Sequence, residues 1–278
     1  MTRAHGNGEN SGAASDATAQ RIYRRALRTL NDHGARYIVG GAYAHEWVTG
    51  ITRRTKDLDI FVRREDVADI VALLTPLGCE TWIESPHWLA KASWGEDFID
   101  IIFGAGNGQA AVDDVWFERA IPGEAFGVPV RFCPIEEALW TKAFIMERER
   151  YDGADVAHLL LRCSDRIDWN RLLWRFGSDW PVLLSHLILF RYIYPADAQR
   201  VPEWVVQDLA ARLPEQTAQP PDVPLCRGGL LSRGQYLVDF EDWQYRDARI
   251  APVGRMSRTQ AENWSSQAVD PPHAKDKA

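Results

Sequence analysis

Residues 57–62 read Asp-Leu-Asp-Ile-Phe-Val, and this alternation of polar and apolar side chains constrains the fold more than any other segment. Such alternation predicts a β-strand that has one face in water. Side chains two apart in a strand project from the same face, so Asp57 and Asp59 point the same way. Two neighbouring carboxylates repel each other, and a hard divalent cation such as Mg²⁺ relieves that cost. Taken alone, the segment is more often a solvated polar face than a cation site, and the cation site is favoured only together with the diglycine and the second carboxylate strand described below.

A second alternating segment, Asp-Phe-Ile-Asp-Ile-Ile-Phe at residues 97–103, carries another carboxylate. Asp100 lies between Ile99 and Ile101, so it can face the same side of a sheet from a neighbouring strand. Three convergent carboxylates suit a two-metal phosphoryl-transfer site, in which the ions activate the attacking oxygen and neutralise the leaving pyrophosphate.

Two glycines, Gly40 and Gly41, follow a short predicted strand at residues 36–39 and precede a predicted helix at 42–48. Glycine has no Cβ, so the backbone can approach a phosphate closely there. The N-terminus of the following helix offers N–H groups and the positive end of its dipole. Taken alone, such a pair is more often a simple turn than a phosphate-binding one, so the phosphate-binding interpretation depends on the carboxylates that follow.

The order of elements indicates an α+β core followed by a helical region. We predict a disordered leader at 1–19, a core at 20–133, a helical region at 134–250 and a mobile polar tail at 251–278. Further strands are predicted at 88–92 and at 128–132, and the latter is placed at a sheet edge because Pro129 cannot donate a ladder hydrogen bond. Further helices are predicted at 22–30, 66–77, 134–146, 155–161, 168–176, 180–192 and 204–213.

Charge and hydropathy exclude several classes of protein. The net charge of −7 argues against a general nucleic-acid binder, which needs a surplus of Lys and Arg. No apolar run approaches the about 20 residues of a membrane span, and the N-terminus lacks a signal-peptide pattern, so we expect a cytoplasmic protein. The four cysteines form no CxxC pair, which favours reduced thiols over a zinc site.

Taken together, these motifs resemble a known signature. A strand that ends in Gly40-Gly41, a short helix, the run Arg53-Arg-Thr-Lys-Asp57-Leu-Asp59 and a later strand-borne Asp100 resemble the polymerase-beta-like nucleotidyltransferases, over about residues 36–103. The resemblance implies the nucleotidyltransferase fold, a mixed β-sheet with flanking helices followed by a helical C-terminal half. Fifteen residues, 42–56, separate the diglycine from the first aspartate, slightly more than is usual in this superfamily.

The resemblance also implies roles for individual residues. Asp57 and Asp59 would bind the metal, Mg²⁺ or Mn²⁺, and Asp100 would be the third carboxylate and a candidate base. The nucleotide-binding residues that it implies are Gly40, Gly41, Arg54, Thr55 and Lys142. Arg54 would grip a phosphate through a two-pronged contact.

The function that follows is transfer of a nucleoside monophosphate from a nucleoside triphosphate to an acceptor, with release of pyrophosphate. The acceptor stays open between a small molecule, a protein side chain and an RNA end, of which a large RNA footprint is least favoured. The alternative is a non-catalytic nucleotide-binding or regulatory module. Small bacterial relatives often serve as toxin or antitoxin partners, so the resemblance also allows a protein partner. The intact set of aspartates favours the enzyme.

Overall fold

The structure, a computed structural model, describes residues 8–53, 55–218 and 220–268. The chain divides into two compact units. The first, called here the sheet unit, comprises the described residues up to Trp47 together with Ile51–Phe103 and Val112–Cys133. The second, the helical unit, comprises Val48–Gly50, Gly104–Ala111 and the described residues from Pro134 onward.

The sheet unit is built on a seven-stranded mixed sheet with the strand order β3-β4-β5-β2-β1-β7-β6. Its strands are β1 (Ile38–Val39), β2 (Asp57–Phe61), β3 (Glu80–Ser85), β4 (Leu89–Trp94), β5 (Asp97–Ile102), β6 (Ile121–Ala125) and β7 (Val128–Phe132). Its helices are α1 (Gly8–Asp32), α2 (Gly41–Thr49, whose last two residues count to the helical unit), α3 (Val67–Leu74) and α4 (Asp114–Glu118). β2 pairs in parallel with β5 and antiparallel with β1, whereas β3, β4 and β5 are antiparallel neighbours.

The alternation in β2 and β5 places their apolar residues in the core. Leu58 and Ile60 of β2 are fully buried, as are Ile99 and Ile101 of β5. Burial of each such side chain contributes about 1.5–3 kcal/mol, so the strands are held with these residues inward. The residues that alternate with them, which include the three aspartates, consequently lie on the opposite face.

The helical unit contains eight α-helices and one short strand pair among its described residues. They are α5 (Ile135–Ala143), α6 (Gly153–Cys163), α7 (Trp169–Phe176), α8 (Trp180–Ile193), α9 (Glu203–Ala211), α10 (Leu213–Ala218), β8 (Leu225–Cys226), α11 (Leu237–Glu241), β9 (Arg246–Asp247) and α12 (Arg258–Ser266). A buried ion network joins α5 to α7, where Glu137 accepts hydrogen bonds from Arg171 and Arg175.

The predicted fold class is confirmed: the chain is α+β, with a mixed sheet, flanking helices and a helical C-terminal half. Two termini differ from prediction. Residues 8–19, predicted as part of a disordered leader, belong to α1, and residues 1–7 lie outside the described residues. In the predicted mobile tail, Met256 and Ala261 are buried and a capping box at Ser257 starts α12.

Residues 128–132 form the predicted strand, β7, but its predicted position at a sheet edge is wrong. β7 lies between β1 and β6, and the edge strand on this side of the sheet is β6, which contains Pro122. β1 pairs with β7 only at Phe132, and the Pro129 carbonyl accepts a hydrogen bond from the Asn31 amide (2.8 Å). A proline is tolerated there because no ladder partner requires its missing N–H. The strands β3 and β6 were not predicted.

Within the described part of the chain, no helix is both long and apolar enough to cross a membrane. All four cysteines are free thiols, and Cys79, Cys133 and Cys163 are buried.

Candidate active site

The three predicted carboxylates converge. β2 and β5 are adjacent parallel strands, and their register sets Asp59 directly opposite Asp100. One carboxylate oxygen from each of Asp57, Asp59 and Asp100 lies within 4.8 Å of the others. The alternation in both strands predicts this geometry, and the parallel register supplies the alignment that alternation alone does not specify.

This carboxylate cluster offers the donors that a hard divalent cation requires. All three side chains are partly exposed, so an ion has access from solvent. Mg²⁺ and Mn²⁺ favour oxygen ligands and keep positions for water or phosphate, which three carboxylates on one face leave open. The residues present therefore fit a divalent metal, which Asp57, Asp59 and Asp100 would hold.

The diglycine packs directly against this cluster. Gly41 has φ +54°, in the left-handed region, and a Cβ on it would overlap the Asp59 carboxylate, lying 2.6 Å from Asp59 Cγ. The Gly40 N–H donates to the Asp59 carbonyl (2.9 Å), and a Cβ on Gly40 would lie 2.7 Å from Cδ2 of the Phe61 ring. Only glycine fits at either position without a shift of its neighbour. The N-terminus of α2 therefore begins beside Asp59, where its dipole favours negative charge.

Two hydrogen bonds hold the segment that precedes β2 in place. The Tyr23 hydroxyl of α1 donates to the Lys56 carbonyl (2.8 Å), and the Thr55 hydroxyl donates to the Asp57 carboxylate. Thr55 thus orients Asp57, and its role as a nucleotide contact stays a prediction. Arg54, the other nucleotide-binding residue predicted in this segment, lies outside the described residues.

A lysine that was not predicted as a site residue, Lys91, lies beside the carboxylate cluster. Lys91 of β4 lies opposite Asp100 in the antiparallel register, and its Nζ is 2.6 Å from Asp100 Oδ1. Burial raises the pKa of Asp100, the hydrogen bond and charge of Lys91 oppose that rise, and the charge of Asp57 adds to it. The sequence does contain the signal, since Lys91 is the polar residue between Ala90 and Ala92 in the predicted strand 88–92.

Lys142 lies in α5 of the helical unit. Its Nζ is 2.7 Å from Asp155 Oδ2 and 3.4 Å from Asp152 Oδ2, so two carboxylates of the same unit already engage the ammonium group. Its predicted contact with a triphosphate stays a prediction.

A mixed sheet with three strand-borne carboxylates beside a glycine turn defines a candidate site for a divalent cation and a phosphate. No protein-family model matches the chain, and no match to a curated protein is found.

Solved structures similar to this chain include proteins described as nucleotide-transferring enzymes or as nucleotidyltransferase-like. The antibiotic-resistance factor ANT(2'')-Ia is 19% identical with a TM-score of 0.45, over 62% of this chain and 97% of its own. The lincosamide antibiotic adenylyltransferase LnuA, solved with lincomycin, is 13% identical with a TM-score of 0.38, over 50% of this chain and 94% of its own. A nucleotidyltransferase-like protein from Paracoccidioides brasiliensis is 17% identical with a TM-score of 0.35, over 60% of this chain and 91% of its own.

Proposed function

We propose that the chain is a metal-dependent nucleotidyltransferase, which transfers a nucleoside monophosphate from a nucleoside triphosphate to an acceptor hydroxyl and releases pyrophosphate. One observation carries the proposal: carboxylates from two parallel strands meet within 4.8 Å beside a glycine-started helix. A purely structural sheet face gains nothing from three clustered negative charges, whereas a metal and triphosphate site requires them.

Each residue has a defined task in this reaction. Asp57 and Asp59 hold Mg²⁺ or Mn²⁺ together with Asp100, and Thr55 keeps the Asp57 carboxylate in place. Gly40 and Gly41 let the triphosphate approach the first turn of α2. When bound, the divalent ion neutralises charge on the phosphates and on the leaving pyrophosphate.

The bond changes are those of a direct displacement. The acceptor oxygen forms a bond to the α-phosphorus while the bond from that phosphorus to the β-bridging oxygen breaks, and pyrophosphate departs. Asp100, the candidate base, accepts the proton of the acceptor hydroxyl.

The test is an incubation of the purified chain with Mg²⁺ and each α-labelled nucleoside triphosphate. Fractions of small metabolites, protein and RNA serve as separate acceptor sources, because the acceptor class is open. We expect pyrophosphate release and label transfer with one of these fractions. Asp57→Asn should reduce both at least about 100-fold.

Asp69→Asn is the matched control, since it makes the same charge change at an exposed position of α3. It should leave the rate unchanged. Tight nucleotide binding without turnover in any fraction would favour the non-catalytic module, and equal rates in the two variants would refute the assigned metal site.

A further inference from the structure

The Lys91–Asp100 pair is a feature that the proposed chemistry does not require. Lys91 Nζ lies 2.6 Å from Asp100 Oδ1, and the two side chains are only 21% and 15% exposed. The ammonium group also lies 5.3 Å from the centre of the Phe98 ring, a cation–π distance that helps to hold it in place. A lysine held in this way keeps its charge at a fixed point.

The position of that charge follows from the sheet. Lys91, Asp100 and Asp59 occupy opposed positions on three adjacent strands, β4, β5 and β2. Opposed side chains on neighbouring strands project from the same face and lie in contact range. The ammonium group therefore borders the carboxylate cluster, and it neutralises one of its three negative charges.

A surface ion pair would have little influence, but this pair is mostly shielded from water. Exposed pairs contribute almost nothing measurable, whereas charges withdrawn from water interact strongly with their neighbours. A divalent cation that binds the cluster meets the attraction of the carboxylates and the repulsion of Lys91 at the same time. Moreover, Asp100 Oδ1 already has a partner, which leaves Oδ2 for other ligands.

We infer that Lys91 is a positioning residue that acts as a built-in counter-ion of Asp100, limits the affinity of the cluster for divalent cations and keeps Asp100 Oδ2 turned toward the reaction. This inference rests on the proposed function, because it concerns the same metal site. It adds a residue, Lys91, and a property that the proposed function does not contain. The property is an upper limit on metal affinity, which the charge of Lys91 on β4 sets.

The test measures Mn²⁺ binding to the full chain without nucleotide, through the signal of free Mn²⁺ in electron paramagnetic resonance. Lys91→Met should bind Mn²⁺ about tenfold more tightly than the native chain, because a positive charge at contact range is gone. Lys91→Arg retains the charge and should stay within about threefold of the native affinity.

Lys56→Met is the matched control. It removes the same charge beside Asp57, but from an exposed side chain, so the change in affinity should be below about threefold. A second readout is the rise in melting temperature on addition of Mn²⁺, which should be larger in Lys91→Met than in the native chain, because Mn²⁺ then relieves a repulsion that Lys91 no longer offsets. Circular dichroism checks the fold, and Lys91→Gln replaces Lys91→Met should that variant not fold.

Asp57→Asn separates this inference from the proposed function. If native Mn²⁺ binding depends on Asp57 but Lys91→Met binds equally or more weakly, the role of Lys91 is refuted and the metal site stands. Two outcomes would refute the metal site of the proposed function together with the inference. In the first, neither the native chain nor Lys91→Met binds Mn²⁺; in the second, Asp57→Asn leaves the affinity for Mn²⁺ unchanged.

Discussion

Substitution of Gly41 tests the contact between the glycine turn and the carboxylates. Gly41→Ala has two separate consequences. The residue has φ +54°, and holding alanine in the left-handed region costs about 1–2 kcal/mol. The new Cβ would also lie 2.6 Å from Asp59 Cγ, whereas carbon atoms in contact are about 3.5–4.0 Å apart.

Because Asp59 Oδ2 lies closer still to the new Cβ than Cγ does, the Asp59 carboxylate must shift by more than about 1 Å. A misplacement of this size at a reacting centre can reduce the rate by roughly 100-fold. We therefore expect Gly41→Ala to lose about 1–2 kcal/mol in the free energy of unfolding and about 100-fold in pyrophosphate release, with weaker Mn²⁺ binding.

Gly34→Ala isolates the backbone contribution. Gly34 also has a positive φ, +65°, but no atom lies within 4 Å of a Cβ placed there. Urea denaturation should show a similar loss of stability in the two variants, while only Gly41→Ala loses turnover. If both variants kept full turnover, or if both lost it equally, the steric argument about Asp59 would be refuted.

Three further predictions concern the helical unit. Glu137→Ala removes a carboxylate that has no solvent exposure and forms ion pairs with both Arg171 and Arg175. Urea denaturation should therefore show a loss of about 3–5 kcal/mol in the free energy of unfolding. A loss as small as that of Glu149→Ala, at an exposed position, would contradict this prediction. Burial lowers the pKa of His186, so the unfolded chain takes up its proton more readily and stability should fall as the pH drops below about 6.5. His186→Gln should flatten this pH profile, and an unaltered profile would rule the residue out as its cause. Ser257→Ala removes the capping box of α12 and should cost about 1 kcal/mol by the same denaturation, whereas no loss would mean that this segment contributes nothing to the fold.

The sequence predicted those parts of the structure that depend on local periodicity. Alternation in residues 57–62 and 97–103 identified β2 and β5 and the face on which their aspartates lie, because a strand projects every second side chain to one side. Unbroken apolar patterns identified the later helices, such as α5 and α8, for a similar reason.

Features that depend on strand neighbours were not predictable in this way. β3 (Glu80–Ser85) is an edge strand with mostly exposed side chains, Trp82 and Ile83 among them, so its sequence shows no buried face. Pro129 was assigned to an edge although the true edge is β6. For Lys91, the sequence indicated only a polar residue in a strand. Its pairing with Asp100 depends on the register of β4 against β5. Register and strand order are set by long-range pairing, which a single sequence does not state.

The parallel pairing of β2 with β5 has a consequence for folding. Parallel neighbours cannot be joined by a tight turn, and here α3 and the β3–β4 hairpin are interposed between Asp59 and Asp100. Contacts so distant in sequence form slowly, after local structure. A nascent chain that has emerged only through β4 already carries the diglycine and the first two aspartates, yet the third carboxylate is still missing. Cation affinity should therefore arise only when β5 inserts beside β2, which makes metal binding a reporter of the completed sheet.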